Sequence, residues 1–129
     1  MNIYLAASYE RRLEIAEYAK LLREDGHIVT SRWLTGEGEQ HSEEWCAEQD
    51  LSDLALAECQ VNFTTGEPSR GGRQVEFGYG IALEHRLVLV GPREHVFHHL
   101  QGVEQYNTFE EARQVLKHGL PPPKGGDGS

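Results

Sequence analysis

The chain is short of cysteine, of basic residues and of long apolar runs, and each shortage removes a class of protein. Only two cysteines, Cys46 and Cys59, occur in 129 residues, and they form no CxxC. They fall in segments that read as a helix and a strand, so reduced packing residues are expected rather than a disulfide framework. Lys and Arg number 12 against 21 Asp and Glu, a formal net charge of −9. Gripping a nucleic acid polymer takes a cluster of cations to displace counterions, and none is present. A small anionic ligand is still compatible with this balance, because a local pocket can be positive on an acidic protein. No apolar stretch approaches the roughly 20 residues that span a bilayer, so no membrane partner is expected. Met1 leads straight into an apolar segment without a basic region or a cleavage site, the expected look of a cytoplasmic protein.

What is present reads as one domain over residues 1–119, followed by a disordered C-terminal tail over 120–129 (LPPPKGGDGS). Asn2 to Ala7 is a short apolar run, the usual look of a buried parallel strand. Ser8 is placed to cap a helix in which Ile15, Tyr18, Ala19 and Leu22 share a face, and Gly26 stops it. His27 to Ser31 reads as a second strand, and the polar stretch Arg32 to His41 as a mobile loop or lid. Ser42 caps a second helix running to about Glu58, and Gln60 to Thr64 is a third strand. After the turn-rich Gly66 to Gly72 comes a helix from about Arg73 to His85, then the strand Arg86 to Gly91. Short helices near Glu94 and Thr108 flank a weak strand around Val103 to Tyr106. Strands alternating with helices predict an α/β fold. The expectation is a Rossmann-like or flavodoxin-like sandwich, with about five parallel strands and helices on both faces. Ligands in such sheets sit beyond the carboxyl ends of the strands, here Ala7–Arg12, Ser31–Ser42 and Thr64–Glu76.

The stretch Ser69-Arg70-Gly71-Gly72-Arg73-Gln74-Val75-Glu76-Phe77-Gly78-Tyr79-Gly80 is the most informative for chemistry. It puts a glycine pair and exposed backbone N–H groups at a helix start, which favours an anion, and a carboxylate in the expected first turn. Gly78 and Gly80 each cost a helix about 1 kcal/mol relative to Ala, which is tolerated where a backbone or ligand must come close. Glu76 can equally be read as a charge complementing the helix dipole. The second carboxyl is Asp50. With Ala47, Leu51, Leu54 and Ala55 as the core face of its helix, Asp50 falls at the margin and Asp53 points to water. A carboxyl at a core margin is partly desolvated, which suits acid–base work; a solvated helix carboxylate is the plainer alternative. Two carboxyls in different environments are what glycosidic chemistry needs, one ionised at the anomeric carbon and one donating a proton. His95, His98 and His99 lack acidic or cysteine partners at a metal-ligand spacing and read as surface histidines on a helix edge, so no metal is expected. Ser69 has no GxSxG elbow, and the glycine-rich loop is not a GxxxxGK[ST] P-loop.

With these residues in view, the chain resembles the nucleoside 2-deoxyribosyltransferase superfamily, which includes nucleoside 5′-monophosphate N-glycosidases. The likeness rests on Ile3-Tyr4-Leu5-Ala6-Ala7-Ser8, on Glu48-Gln49-Asp50-Leu51 followed by the Val61–Thr64 strand, and on Gly71-Gly72 through Val75-Glu76-Phe77-Gly78-Tyr79. It implies Glu76 as a nucleophile that holds a glycosyl group covalently and Asp50 as the proton donor to the leaving base. Tyr9 would orient Glu76. It also implies substrate contacts from Ala7, Ser8, Arg11, Trp33, Ser69, Arg70, Gly71 and Gly72, with Trp33 in the loop that sets base preference. The partner would be a small nucleoside or nucleotide, with no cofactor, in a homodimer or higher homo-oligomer. Transferases of the family often carry a further Asp in the loop before the nucleophile. Ser69 and Arg70 stand there instead, and suit a 5′-phosphate better than a bare hydroxymethyl. Glu58-Cys59 stands where many relatives have Ala-Asp, a structural difference. Transferase, monophosphate hydrolase and non-catalytic nucleotide-binding module are the alternatives that the sequence leaves open.

Overall fold

A computed structural model describes residues 1–67 and 71–119. Five strands, β1 (Asn2–Ala6), β2 (Ile28–Val29), β3 (Cys59–Phe63), β4 (Arg86–Val90) and β5 (Glu104–Tyr106), pair entirely in parallel in the order β2-β1-β3-β4-β5. Helices α1 (Arg12–Glu24) and α4 (Phe109–Lys117) pack on one face, and α2 (Glu43–Leu56) and α3 (Gly72–Ala82) on the other. The expected α/β sandwich with about five parallel strands is therefore the observed one. The chain order reverses between β1 and β3, and a crevice opens at such a switch point.

Strand alternation decides what each face receives. Ile3 and Leu5 of β1 and Val61 and Phe63 of β3 point to α1 and α4, where Ile15, Ala19, Leu22, Phe109 and Leu116 complete the larger core. Tyr18 stacks on Phe109 and Phe63, with ring centroids 4.2 and 5.4 Å away. The opposite face is mixed. Tyr4 and Ala6 of β1 meet Leu54 and Ala57, and beside them β3 presents Gln60 and Asn62, both buried. A buried parallel strand is ordinarily apolar on both sides, so this polar pair in the middle of the sheet needs partners. Gln60 Nε2 donates to the carbonyl of Glu76 at 2.9 Å and Asn62 Nδ2 to that of Val88 at 3.5 Å.

Three local expectations are corrected. The Ser8 side chain caps nothing; a tight 3-10 turn over Tyr9–Arg11, closed by the Arg11 N–H on the Ser8 carbonyl at 3.0 Å, comes first and delays α1 to Arg12. The second strand shrinks to Ile28–Val29, and the loop after it holds two 3-10 turns, Arg32–Thr35 and Glu37–Gln40. Helix α2 also turns a different stripe inward. Cys46, Asp50, Asp53 and Leu54, spaced i, i+4, i+7 and i+8, face the fold, while Ala47, Leu51 and Ala55 are exposed. Asp53 is 1 % exposed because Arg32 meets it from across the loop, Nε at 2.8 Å and the backbone N–H at 2.9 Å. Apolar periodicity misplaced this face because the helix packs on a polar turn as well as on the sheet. Ser42 does cap as expected, accepting from Trp45 N–H, and Thr108 caps α4 by accepting from Glu111 N–H.

The two helical glycines of α3 separate cleanly. A Cβ on Gly80 would lie 2.6 Å from Gln60 Nε2 and 3.1 Å from Leu87 Cδ2, whereas one on Gly78 would meet nothing within 4 Å. Gly80 is the close approach that seats α3 on the sheet. Thermal or urea unfolding is expected to show Gly78→Ala more stable by about 0.5–1 kcal/mol, as helix propensity dictates. Gly80→Ala is expected to be less stable by about 1–3 kcal/mol, from overpacking against Gln60 and Leu87.

Candidate active site

Helix α3 begins at Gly72, after Gly71 at φ +109°, a backbone conformation that favours glycine. Glu76 therefore lies in the second turn, beyond the free N–H groups of the helix start, and dipole complementation is not what holds it. Its side chain is held by the sheet. The Tyr4 hydroxyl donates to Glu76 Oε2 at 2.9 Å, while Gln60 grips the backbone of the same residue. Burial pushes the Glu76 carboxyl up to about 7; the Tyr4 hydrogen bond opposes that shift, the charge of Asp50 adds to it, and Arg73 opposes it. Tyr4 itself is fully buried, and burial together with the neighbouring Glu76 and Asp50 carboxylates holds its phenol protonated as a donor.

A cavity of about 320 Å³ opens beyond the carboxyl end of β1. Glu76 and Ala7 line it, and α2 contributes Trp45, Cys46, Gln49 and Asp50. The loop supplies the remaining wall through Arg32, Trp33 and the Glu37–Glu39 segment. Asp50 is half-buried, and burial first, then the charge of Asp53, raises its carboxyl to about 6. Two carboxyls thus share one cavity, both raised, the more buried one higher. Trp33 is fixed by Nε1 donating to the Leu5 carbonyl at 2.8 Å. The outer turn, Glu37–Gln40, is fastened at its surface: the Tyr9 hydroxyl donates to Glu39, Cys46 Sγ lies 3.4 Å from the Gly38 carbonyl, and His41 stacks on Trp45 at 3.7 Å.

The structure brings Glu76, Asp50, Tyr9, Ala7 and Trp33 to this cavity. The hydroxyl on Glu76 belongs to Tyr4, however, and not to Tyr9, which lies past the strand end, 46 % exposed, and meets Glu39. Arg11 is engaged elsewhere, paired with Glu14 at 2.9 Å and lying over the Phe63 ring. Ser8 precedes the turn at Tyr9 without lining the cavity, and Gly71 and Gly72 open α3 without lining it either. Ser69 and Arg70, like the tail 120–129, lie outside the described residues.

One of the three histidines, His98, departs from expectation, while His99 is exposed. His98 is 3 % exposed, accepts the Glu94 N–H on Nδ1 at 3.0 Å and stands edge-on to Phe77. Burial first, then the adjacent His95, lowers it to about 4, so it is a neutral packing and capping group. Glu94 beside it pairs with Arg73 at 3.1 Å and accepts the Thr65 and Gly66 N–H groups, which ties the end of β3 to the start of α3. Among the described residues no group of three His, Cys, Asp or Glu side chains is disposed to hold a metal ion, and no helix is long and apolar enough to cross a membrane.

Sequence reasoning missed Tyr4, Gln60, Gln49 and Trp45. The first two carried a signal, as hydrogen-bonding side chains at alternate positions of otherwise apolar strands. The last two become visible only once the inward stripe of α2 is known.

No protein-family model matches the chain, and no curated protein matches its sequence. Solved structures do. A 2-deoxyribosyltransferase from Bacillus psychrosaccharolyticus superposes with a TM-score of 0.75 at 20% identity, covering 96% of this chain and 98% of that one. A CMP N-glycosidase from Clostridium botulinum gives a TM-score of 0.64 at 20% identity, covering 92% and 99%. The chain has the fold of these two enzymes along nearly its whole length.

Proposed function

We propose that the chain belongs to the nucleoside 2-deoxyribosyltransferase superfamily. In this reading it cleaves the N-glycosidic bond of a 2′-deoxynucleoside or its 5′-monophosphate through a covalent glycosyl-Glu76. The observation that carries this reading is the pair Glu76 and Asp50 in one cavity, with Tyr4 holding one oxygen of the deeper carboxylate. The shared fold with a deoxyribosyltransferase and a CMP N-glycosidase supports it.

In the first step the Glu76 carboxylate forms a bond to C1′ as the C1′–N bond breaks. The bond electrons leave with the base, and Asp50 protonates it. In the second step the Asp50 carboxylate takes a proton from water or from an incoming base. The deprotonated acceptor attacks C1′, and the ester to Glu76 opens with net retention. The hydrogen bond from Tyr4 lowers the energy of the ionised Glu76 and leaves Oε1 to attack. Trp33 and Trp45 offer indole surface to a base beside Asp50. Neither step asks for a metal or an organic cofactor.

Purified protein incubated with deoxynucleosides and their 5′-monophosphates is expected to release free base on HPLC, and Glu76→Ala to fall by at least about 10³-fold. A labelled base incorporated into unlabelled nucleoside would identify a transferase; release with water alone would identify a hydrolase. Absence of release from every substrate, even with an acceptor base, would leave a binding module.

The pH profile is a second check. Glu76 must be ionised to attack, a form that dominates only above about 7, while Asp50 must hold its proton, a form that dominates only below about 6. The competent form is then a minority species, and kcat/KM is expected to follow a narrow bell peaking between those values. Asp50→Asn is expected to abolish the alkaline limb. The acidic limb that remains should then report the ionisation of Glu76 alone. A profile unchanged by Asp50→Asn would remove Asp50 as the proton donor.

The homo-oligomer implied by the resemblance has a candidate face in the exposed Ala47, Leu51 and Ala55 of α2 and Val75 of α3. Light scattering after size exclusion is expected to give a mass above 14.6 kDa for the wild type and a smaller species for Leu51→Glu.

A further inference from the structure

Among the described residues that line the cavity, Glu37, Glu39, Asp50 and Glu76 carry carboxyls, and Arg32 alone is a cation. Arg32 is already matched, because buried Asp53, which does not line the cavity, holds its guanidinium at 2.7 and 2.8 Å. Two neighbouring cations stay outside the lining: Arg12 lies over the Tyr9 ring at 5.3 Å, and Arg73 pairs with Glu94 at 3.1 Å. Tyr9, Trp33 and Trp45 supply aromatic wall, with the Tyr9 and Trp33 ring centroids 6.3 Å apart at 43°. Aromatic faces and carboxylates attract the same kind of ligand, a cation, and aromatic cages hold quaternary ammonium groups in this way.

The carboxyl pair points to the same ligand. A neutral base must be protonated as it leaves, so Asp50 has to keep its proton while the more deeply buried Glu76 has lost its own, the less populated of the two arrangements. A base that is already cationic removes this requirement, since it leaves neutral once it takes the electrons of the glycosidic bond. We propose that the cavity serves N-glycosides of a positively charged aromatic base, with a pyridinium ring as the simplest member of the class. The glycosidic step rests on the reading above; the charge and ring chemistry of the lining stands apart from it. The Glu76 carboxylate bonds to C1′ as the C1′–N bond breaks, and both electrons of that bond pass to the ring nitrogen and cancel its charge. Water then attacks C1′, the Asp50 carboxylate takes its proton, and the ester opens to return the Glu76 carboxylate. The net products are sugar, neutral base and a proton.

The probe pair is ring-methylated nicotinamide, a pyridinium cation, and meta-toluamide, its uncharged isostere. Calorimetric titration of the wild type is expected to favour the cation by about tenfold or more, by a margin that narrows as salt rises. In single turnovers at saturating substrate, the 2′-deoxyriboside of nicotinamide should release its base at a rate that rises through about pH 7 and then stays level, because only Glu76 must be ionised. Asp50→Asn should change that rate by less than about fivefold while slowing release from deoxyadenosine by about 10²-fold or more. Equal binding of the two isosteres, no binding of either, an alkaline limb with the cationic riboside, or equal losses on both ribosides in Asp50→Asn would overturn the inference. Selective binding of the cation without release from any riboside would uphold the charge selectivity and remove the glycosidic reading. Release from deoxyadenosine with no preference for the cation would do the reverse.

Discussion

A carboxyl group has been carried over the middle of a parallel sheet and given one hydroxyl and little water, and the second face of the domain is arranged around that placement. Tyr4 reaches Glu76 because β1 turns it toward α3. Gln60, its neighbour across the β1–β3 ladder, takes the Glu76 carbonyl, and the helix comes close enough for both only because residue 80 has no side chain. The polar residues in β1 and β3 are therefore the seat of one helix, fixed at its second turn. Without Gly80 the seat would open; without Gln60 the position of Glu76 along the sheet would be free.

The consequence for acidity is direct. Taking a carboxylate out of water raises its pKa, a hydrogen bond to the charged form lowers it, and a second carboxyl nearby raises it again. Glu76 experiences all three, and burial wins. Asp50, on a different helix and less buried, is raised less. In the proposed reaction the deeper carboxyl is thus the harder one to ionise, and the pair works through a minority protonation state. Arg32 could have quenched that arrangement, but it is taken by Asp53 one turn further along α2. A residue that periodicity sends to solvent thus holds a cation that would otherwise be free to pair with Asp50.

Sequence alone carried the sheet and the order of its elements, because these depend on local periodicity and glycines, whereas the two carboxyls were singled out by the family resemblance. It did not carry the identity of the hydroxyl on Glu76. Tyr9 looks suitable because it follows the strand, yet Tyr4 is the residue whose direction the pleat fixes toward α3. The face of α2 was misread for a related reason. Its inward stripe is half polar, and a rule that looks for apolar neighbours selects Leu51, which is 41 % exposed, over Asp53, which is buried. His98 was misread in the same way, as a polar side chain whose burial depends on a single backbone N–H that no pattern announces. Where polar groups satisfy one another across elements, composition gives no warning.

The wall over the cavity is built in two unequal halves that meet at Gly36, whose φ of +79° suits a pivot. The inner half is rooted in the sheet: Ser31 takes the Leu5 N–H, Trp33 donates to the Leu5 carbonyl, and Arg32 is locked to Asp53. The outer half rests on a hydroxyl, a thiol and a stacked ring, all near the surface. Traffic in and out therefore needs only the outer flap to peel away, while the indole that would face a base stays where the sheet put it. In the proposed reaction such a division would let the site exchange its contents without dismantling the wall rooted in the sheet.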